Sequence, residues 1–153
     1  MKELDRIDRE ILNILQEDAA TPLREIAEKV HSSVATCQRR IAQLRSSGVL
    51  LKDVALVDRV LAGMPLTVFV SVELEHQNSA ILKLFEARMR EEPLVMSCYE
   101  VAGEFDFMLI ITAPSMEAYH EFTRRVFTSN NNVINVKSLF AMNCSKFETK
   151  LTL

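Results

Sequence analysis

Glycine is scarce. The chain has 153 residues and only three glycines, Gly48, Gly63 and Gly103, so it has no glycine-rich loop to cradle a phosphate. Cysteine is scarce too: Cys37, Cys98 and Cys144 are odd in number and far apart. No Cys-x-x-Cys pair or His/Cys cluster appears, which argues against disulfides and structural zinc. Cys37 reads as a small apolar core residue. No apolar run approaches the ~20 residues that span a bilayer. The first ten residues are charged, unlike a secretory signal. These absences predict a cytoplasmic protein that needs neither membrane nor metal. No Ser/His/Asp grouping and no metal-ligand spacing is present, so the chain does not read as an enzyme.

Charge is nearly balanced, with a net value of −3 at pH 7, and the composition is that of a globular protein, 48% hydrophobic and 25% charged. The distribution is more informative than the total. Residues 1–52 carry nine Lys or Arg against eight Asp or Glu, and the remainder nine against thirteen. Contact with nucleic acid is therefore expected from the N-terminal third. Phosphate attraction alone would be modest, so tight binding requires base-specific contacts or several reading units.

The stretch Leu23 to Leu50 organises the first third. Ile26, Ala27 and Val30 share one face of a short helix. His31-Ser32 reads as a turn. In the next helix Val34, Cys37, Ile41 and Leu44 recur at helical spacing and form an apolar stripe. Burying that stripe turns Ser33, Ala35, Thr36, Gln38, Arg39 and Gln43 outward or along the edges. The strip is polar and basic and holds no carboxylate, and a helix of that kind fits the DNA major groove. The plain alternative is a packed helix pair with a solvated face. Gly48 suits a left-handed helix exit. Val49-Leu50-Leu51 and Val54-Ala55-Leu56 read as two short strands about Lys52-Asp53, the wing of a winged helix.

Ahead of this, Leu4, Ile7, Ile11, Ile14 and Leu15 form a helical stripe, capped by Asp5 and running to about Glu17. Asp8 suits the positive end of the helix dipole. Thr21-Pro22 reads as a helix start, with Thr as cap and Pro at the first helical position. Behind it, Asp58 to Pro65 is a linker. Leu66 to Leu74 then alternates as a strand. A helix follows the Asn78-Ser79 cap, with Ile81, Leu82, Leu84, Phe85 and Met89 apolar. Val95 to Ala102 is a strand, Gly103-Glu104-Phe105-Asp106 a tight turn, and Phe107 to Thr112 a strand. Pro114-Ser115 starts a helix through Met116, Tyr119, Phe122 and Val126. Asn130-Asn131-Asn132 is a loop, and Val133 to Cys144 a long last strand.

The order β-α-β-β-α-β predicts a ferredoxin-like sandwich, an antiparallel four-stranded sheet with two helices on one face. The fold class is thus α+β. Side chains alternate across a strand, so Phe69, Tyr99, Val101, Leu109 and Leu139 do not all fit under the helices. An apolar open face predicts a homodimer by sheet-to-sheet packing.

Several motifs resemble one family. Leu4-Asp5-Arg6-Ile7-Asp8-Arg9-Glu10-Ile11-Leu12 resembles the opening helix of the Lrp/AsnC transcription regulators. Cys37-x-Arg39-Arg40-Ile41, with Leu44 and Gly48, resembles that family's recognition helix and its exit. Gly103-Glu104-Phe105-Asp106 resembles its Gly-x-x-Asp turn. The likeness runs along essentially the whole chain. It implies a DNA-binding domain over 1–52, a wing strand and linker over 53–65, and an effector-binding and oligomerisation domain over 66–153. It also implies dimers that assemble into octamers or related rings, with a small effector, usually an amino acid, bound where dimers meet. The chain departs from the family at His31-Ser32, where Gly then Leu is common. It departs again at Val34 and Thr36, where prolines often start the recognition helix.

On this reading Ser33, Ala35, Thr36, Gln38 and Arg39 contact bases, and Arg40 and Gln43 contact phosphates. The alternative for Arg40 is structural pairing with Asp8 or Glu10. His31 reads as a turn residue. The effector candidates are Val101, Gly103, Glu104, Phe105 and Asp106, whose turn presents backbone N–H and C=O groups to an amino acid's charged ends. Asp106 or Glu104 would meet the ammonium. By alignment Phe140, Ala141 and Met142 lie nearby, and their size favours leucine or methionine as effector. No cofactor is implied. A rival reading takes Glu100, Glu104, Asp106, Tyr119 and His120 as the site of an enzyme or amino-acid-sensing subunit. A second makes the chain a structural oligomer.

Overall fold

A computed structural model describes residues 3–128 and 132–153. Asn130 and Asn131 of the expected loop lie outside the described residues. The chain divides into two compact units, Met1–Leu56 with Lys146–Leu153, and Val57–Ser145. This differs from the expected boundaries, because the last eight residues join the first unit.

In the first unit, α1 (Arg6–Glu17), α2 (Leu23–Lys29) and α3 (Val34–Ser46) enclose a core of Ile11, Leu12, Leu15, Ile26, Ala27, Val30, Cys37 and Leu44. Asp5 caps α1 by accepting the Asp8 N–H at 2.9 Å, as expected. The start of α2 is different. Pro22 occupies the cap position without a side-chain hydrogen bond, and the Thr21 hydroxyl donates to the Asp18 carbonyl at 2.7 Å. Both motif helices end in the same way. After α3, Val49 N–H bonds to Leu44 O and Gly48 N–H to Arg45 O, a Schellman exit with Gly48 at φ 75°. After α2, Ser32 N–H bonds to Ala27 O and His31 N–H to Glu28 O, with His31 at φ 51°. The expected wing does not form. Residues 51–57 are exposed and belong to no strand, because neither half finds a ladder partner among the described residues.

In the second unit, β1 (Leu66–Leu74), α4 (Ser79–Glu91), β2 (Val95–Glu100), β3 (Phe107–Ala113), α5 (Met116–Thr123) and β4 (Val133–Phe140) follow the expected order. A π-helical turn, Arg124–Thr128, continues α5. The sheet order is β2-β3-β1-β4, antiparallel throughout. Val68, Val70 and Val72 lie opposite Ile111, Leu109 and Phe107. All six are fully buried beneath Phe85, Met89, Phe122 and Val126 of the helical layer. Each such side chain contributes about 1.5–3 kcal/mol relative to exposure. Buried Glu92, just past α4, accepts both guanidinium ends of Arg125 at 2.6 Å and anchors the π-helical turn.

The open face is as expected, with one correction. Leu109 lies under the helices, because it pairs with Val70 on the covered face. Phe69, opposite Ile110 and Leu139, lies on the other face with Tyr99, which stands opposite Met108. Phe69, Tyr99 and Leu139 are exposed. The last strand is shorter than expected. It ends at Phe140, and Ala141 N–H makes a last bond to Thr67 O.

Candidate nucleic-acid interface and effector site

The surface of α3 is set by its cap. Ser33 Oγ accepts the Thr36 N–H at 3.2 Å and donates to Thr36 Oγ1 at 2.8 Å. Both hydroxyls are therefore tied to starting the helix, although Ser33 remains exposed. Cys37 and Leu44 are buried and Ile41 half-buried, as the stripe requires. Val34 is the exception, 41% exposed. It sits in the first turn of α3, too near the helix start to reach the core under α1 and α2. Ala35, Gln38, Arg39 and Gln43 are exposed. Ala42 shares the surface strip and escaped the sequence reading, since a lone alanine carries no signal of its own. The resulting face has a small-residue centre, two amides, one cation and no carboxylate, so it can approach base edges closely and pair with them.

Arg40 does not belong to that face. Its Nη1 donates to Asp8 Oδ1 and to Asp5 Oδ2, both at 2.7 Å. The structural alternative thus replaces the expected phosphate contact, with Asp8 as a partner. Glu10 pairs with Arg6 instead, at 2.6 Å. The Asp5 carboxyl is held below the usual range, first by the Asp8 N–H and then by Arg40. The two carboxylates raise the Arg40 guanidinium further above its already high value. Arg45 is exposed at the end of α3 and reaches Asp53 at 2.7 Å.

The turn after β2 is tightly built. Gly103 has φ 154°, a conformation L side chains rarely adopt, and a Cβ there would meet nothing within 4 Å. Backbone shape alone therefore calls for glycine. Val101 N–H bonds to Asp106 O, and Asp106 N–H to Val72 O, both at 2.9 Å. Asp106 Oδ2 accepts the Leu74 N–H at 2.7 Å. That oxygen pins the turn to β1, which leaves exposed Glu104 the freer carboxylate. Phe105 is half-buried.

The structure does not bring the two halves of the expected effector site together in one chain. The turn lies beyond Phe107, which pairs with Val72, whereas Phe140 pairs with Val68. Four residues of strand, about 13 Å, separate those positions along β1. Phe140 instead packs edge-on against Tyr119, with ring centroids 5.4 Å apart. With Tyr119, His120, Asn135 and Ser138 it lines a groove of about 460 Å³ between α5 and β4. Tyr119 Oη lies 2.6 Å from Ser138 Oγ, and burial pushes the phenol pKa up. Ala141 is exposed and Met142 is 97% exposed. Tyr119 and His120 thus belong to the α5 groove and not to the turn that holds Glu104 and Asp106. Among the described residues no group of three or more His, Cys, Asp or Glu is placed to hold a metal. No helix among them is long and apolar enough to cross a membrane.

A three-helix unit with an exposed polar strip, joined to a ferredoxin-like sheet, is the architecture of a helix-turn-helix protein with a second, sheet-based domain. Comparison with known proteins agrees. Residues 4–45 match the AsnC-type helix-turn-helix domain, and residues 67–151 match the Lrp/AsnC ligand binding domain. An uncharacterised HTH-type transcriptional regulator of Haemophilus influenzae is 50% identical over 153 residues, covering 100% of this chain and 91% of the relative. An AsnC family regulator of Agrobacterium tumefaciens superposes with TM-score 0.89 at 36% identity, covering 97% of this chain and 96% of that one. A Neisseria meningitidis transcriptional regulator, solved as its L-methionine complex, gives TM-score 0.89 at 30% identity, over 98% and 97% of the two chains. The chain belongs to the Lrp/AsnC family of transcriptional regulators.

Proposed function

We propose that this protein is a sequence-specific regulator whose DNA occupancy responds to a free amino acid, leucine or methionine. The exposed strip of α3, free of carboxylates, is the single observation that carries the reading. Gln38 and Arg39 read base edges, since an amide pairs with adenine and a guanidinium with guanine. Val34 and Ala35 add apolar contact at the helix start. Ser33 and Thr36 fix that start, and Gln43 meets the phosphate backbone. Arg40 acts behind them by holding α3 on α1.

The apolar open face, with Phe69, Tyr99 and Leu139 exposed, is covered by a second copy. Dimers go on to an octamer. Two readers on one dimer then engage half-sites one or more helical turns apart, and assembly multiplies the contacts. The effector sits at a junction between copies. There the Gly103–Asp106 turn of one copy meets the Phe140–Met142 segment of another, which explains why one chain leaves them apart. Glu104 is the ammonium partner, and the turn's backbone groups take the carboxylate. The methionine complex of the Neisseria relative supports an amino acid of this size. An amino acid that prefers one assembly state shifts DNA occupancy by its differential affinity for the two states.

Calorimetric titration tests the effector. Leucine or methionine is expected to give saturable heat that Glu104→Ala weakens at least tenfold, with lysine silent. Tight lysine binding, or no heat with any of the three, would overturn it. A gel shift on fragmented genomic DNA, with and without those amino acids, tests the regulation.

A further inference from the structure

The segment Lys146–Leu153 belongs to the DNA-reading unit, although β4 of the second unit leads into it. Its attachment is specific. The Gln16 side-chain amide grips one residue's backbone at two points: Nε2 donates to Leu151 O at 3.2 Å, and Oε1 accepts Leu151 N–H at 2.7 Å. A side-chain amide that pairs in this way stands in for a neighbouring strand. On either side, Asn13 Nδ2 donates to Leu153 O at 3.5 Å, and Lys150 pairs with Glu17. That pairing holds the Glu17 carboxyl below its usual range. Asn13, Gln16 and Glu17 lie on the side of α1 away from Ile11 and Leu15, which the core absorbs. The attachment uses backbone and polar groups, since Phe147 and Leu151 keep 71% and 66% exposure.

Two consequences follow. The chain passes between the units twice, at 56/57 and again at 145/146. The second passage runs from β4 through residues 141–145 to α1 without a helix or strand between them. That short connection includes Ala141 and Met142, two of the residues proposed above to meet the effector.

We propose that the polar face of α1 formed by Asn13, Gln16 and Glu17 is a docking site for the Lys146–Leu153 segment of this same polypeptide. The docked segment is a strap that transmits the position of β4 to the DNA reader. A shift at the end of β4 pulls on α1, and α1 carries α3 through the Arg40 ion pairs. The recognition of Leu151 is by its backbone N–H and C=O, while Lys150 opposite Glu17 fixes the register.

The test uses the full-length assembled protein, with Gln16→Ala and a truncation after Ser145. Amide hydrogen exchange is followed by mass spectrometry. DNA affinity is measured by anisotropy on one fixed fragment selected by the wild type. In the wild type the 146–153 peptide is expected to be protected. Gln16→Ala is expected to speed exchange at least fivefold in both 146–153 and 11–18, with 66–113 unchanged as the folding control. Both variants are expected to lose about tenfold in DNA affinity. An unprotected 146–153 peptide in the wild type would overturn the docking, and so would protection that survives Gln16→Ala. Released exchange with unchanged DNA affinity would overturn the transmission while leaving DNA reading intact. Loss of DNA binding by the wild type itself would instead strike the proposed function.

Discussion

Arg40 of α3 and Asp8 of α1 lie 2.7 Å apart, with side-chain exposures of 18% and 11%. The pair ties α3 to α1, and Asp5 at 2.7 Å completes a three-member set. Burial places it between an exposed ion pair, worth 0–1 kcal/mol, and a fully buried one, whose disruption costs 3–5 kcal/mol. Arg40→Ala is therefore expected to destabilise the first unit by about 2 kcal/mol, read as a fall in its thermal midpoint. A double-mutant cycle with Asp8→Ala should recover about half of that loss as coupling. Independent effects of the two changes would mean that the contact is incidental.

Two carboxylates of the first unit give a pH dependence. Asp5, with an ordinary value of 3.8, and Glu17, with an ordinary value of 4.5, both have depressed pKa values in the folded protein. Asp5 is held down first by the Asp8 N–H, and Glu17 by Lys150. A depressed carboxyl adds stability above its unfolded pKa, and that stability is lost as pH falls through the lower folded value. The first unit should thus hold its structure from pH 7 to about 4.5 and loosen below it. Circular dichroism during acid titration should show Asp5→Asn with a shallower response than the wild type. A transition centred near pH 6 would contradict this assignment.

His31 and Gly48 occupy equivalent positions at the ends of α2 and α3, both at positive φ. A side chain there costs roughly 1 kcal/mol, while glycine carries its own entropic cost in the unfolded chain. His31→Gly is expected to raise stability by about 0.5 kcal/mol, and Gly48→Ala to lower it by about 1 kcal/mol. Chemical denaturation distinguishes the two. A loss of stability on His31→Gly together with a gain on Gly48→Ala would show that the turn, and not the helix exit, sets the strain.

Asp106 anchors the turn of the second unit through Leu74 N–H. Removing that acceptor leaves a part-buried donor without its bond, at a cost of about 1–2 kcal/mol. Asp106→Ala should lower the melting temperature of the sheet unit, with Asp106→Asn intermediate because its carbonyl oxygen still accepts. Equal stability of all three proteins would remove the structural role and return Asp106 to the list of ammonium partners.

Most elements were legible because each carries a local signal. Asp5, Asn78 and Ser115 cap α1, α4 and α5 where their side chains said they would. The alternation from Leu66 to Leu74 became β1 at the same bounds. The failures are non-local. Val49–Leu51 and Val54–Leu56 have strand composition, but a strand needs a partner and none is present within the unit. The last strand stops at Phe140, and Ala141 N–H makes its last bond, to Thr67 O. Val34 fits the apolar period but lies too early in α3 to be buried. The Gln16–Leu151 contact left no trace in sequence, because glutamine reads backbone N–H and C=O groups that nearly every residue has. The exposed strip of α3 was legible as a gap in negative charge. The elements proposed to hold the effector were legible as a turn and a strand exit, but not their separation along β1.

The most direct test of the central claim is DNA affinity across single substitutions on α3, measured by anisotropy on one selected fragment at fixed salt. Gln38→Ala and Arg39→Ala are expected to weaken binding about tenfold each, with unchanged melting temperature and oligomer size. Arg39→Ala should also relax preference at one base position by about 1–3 kcal/mol. Wild-type affinity and wild-type preference in both variants would contradict the assignment of α3 as the reader.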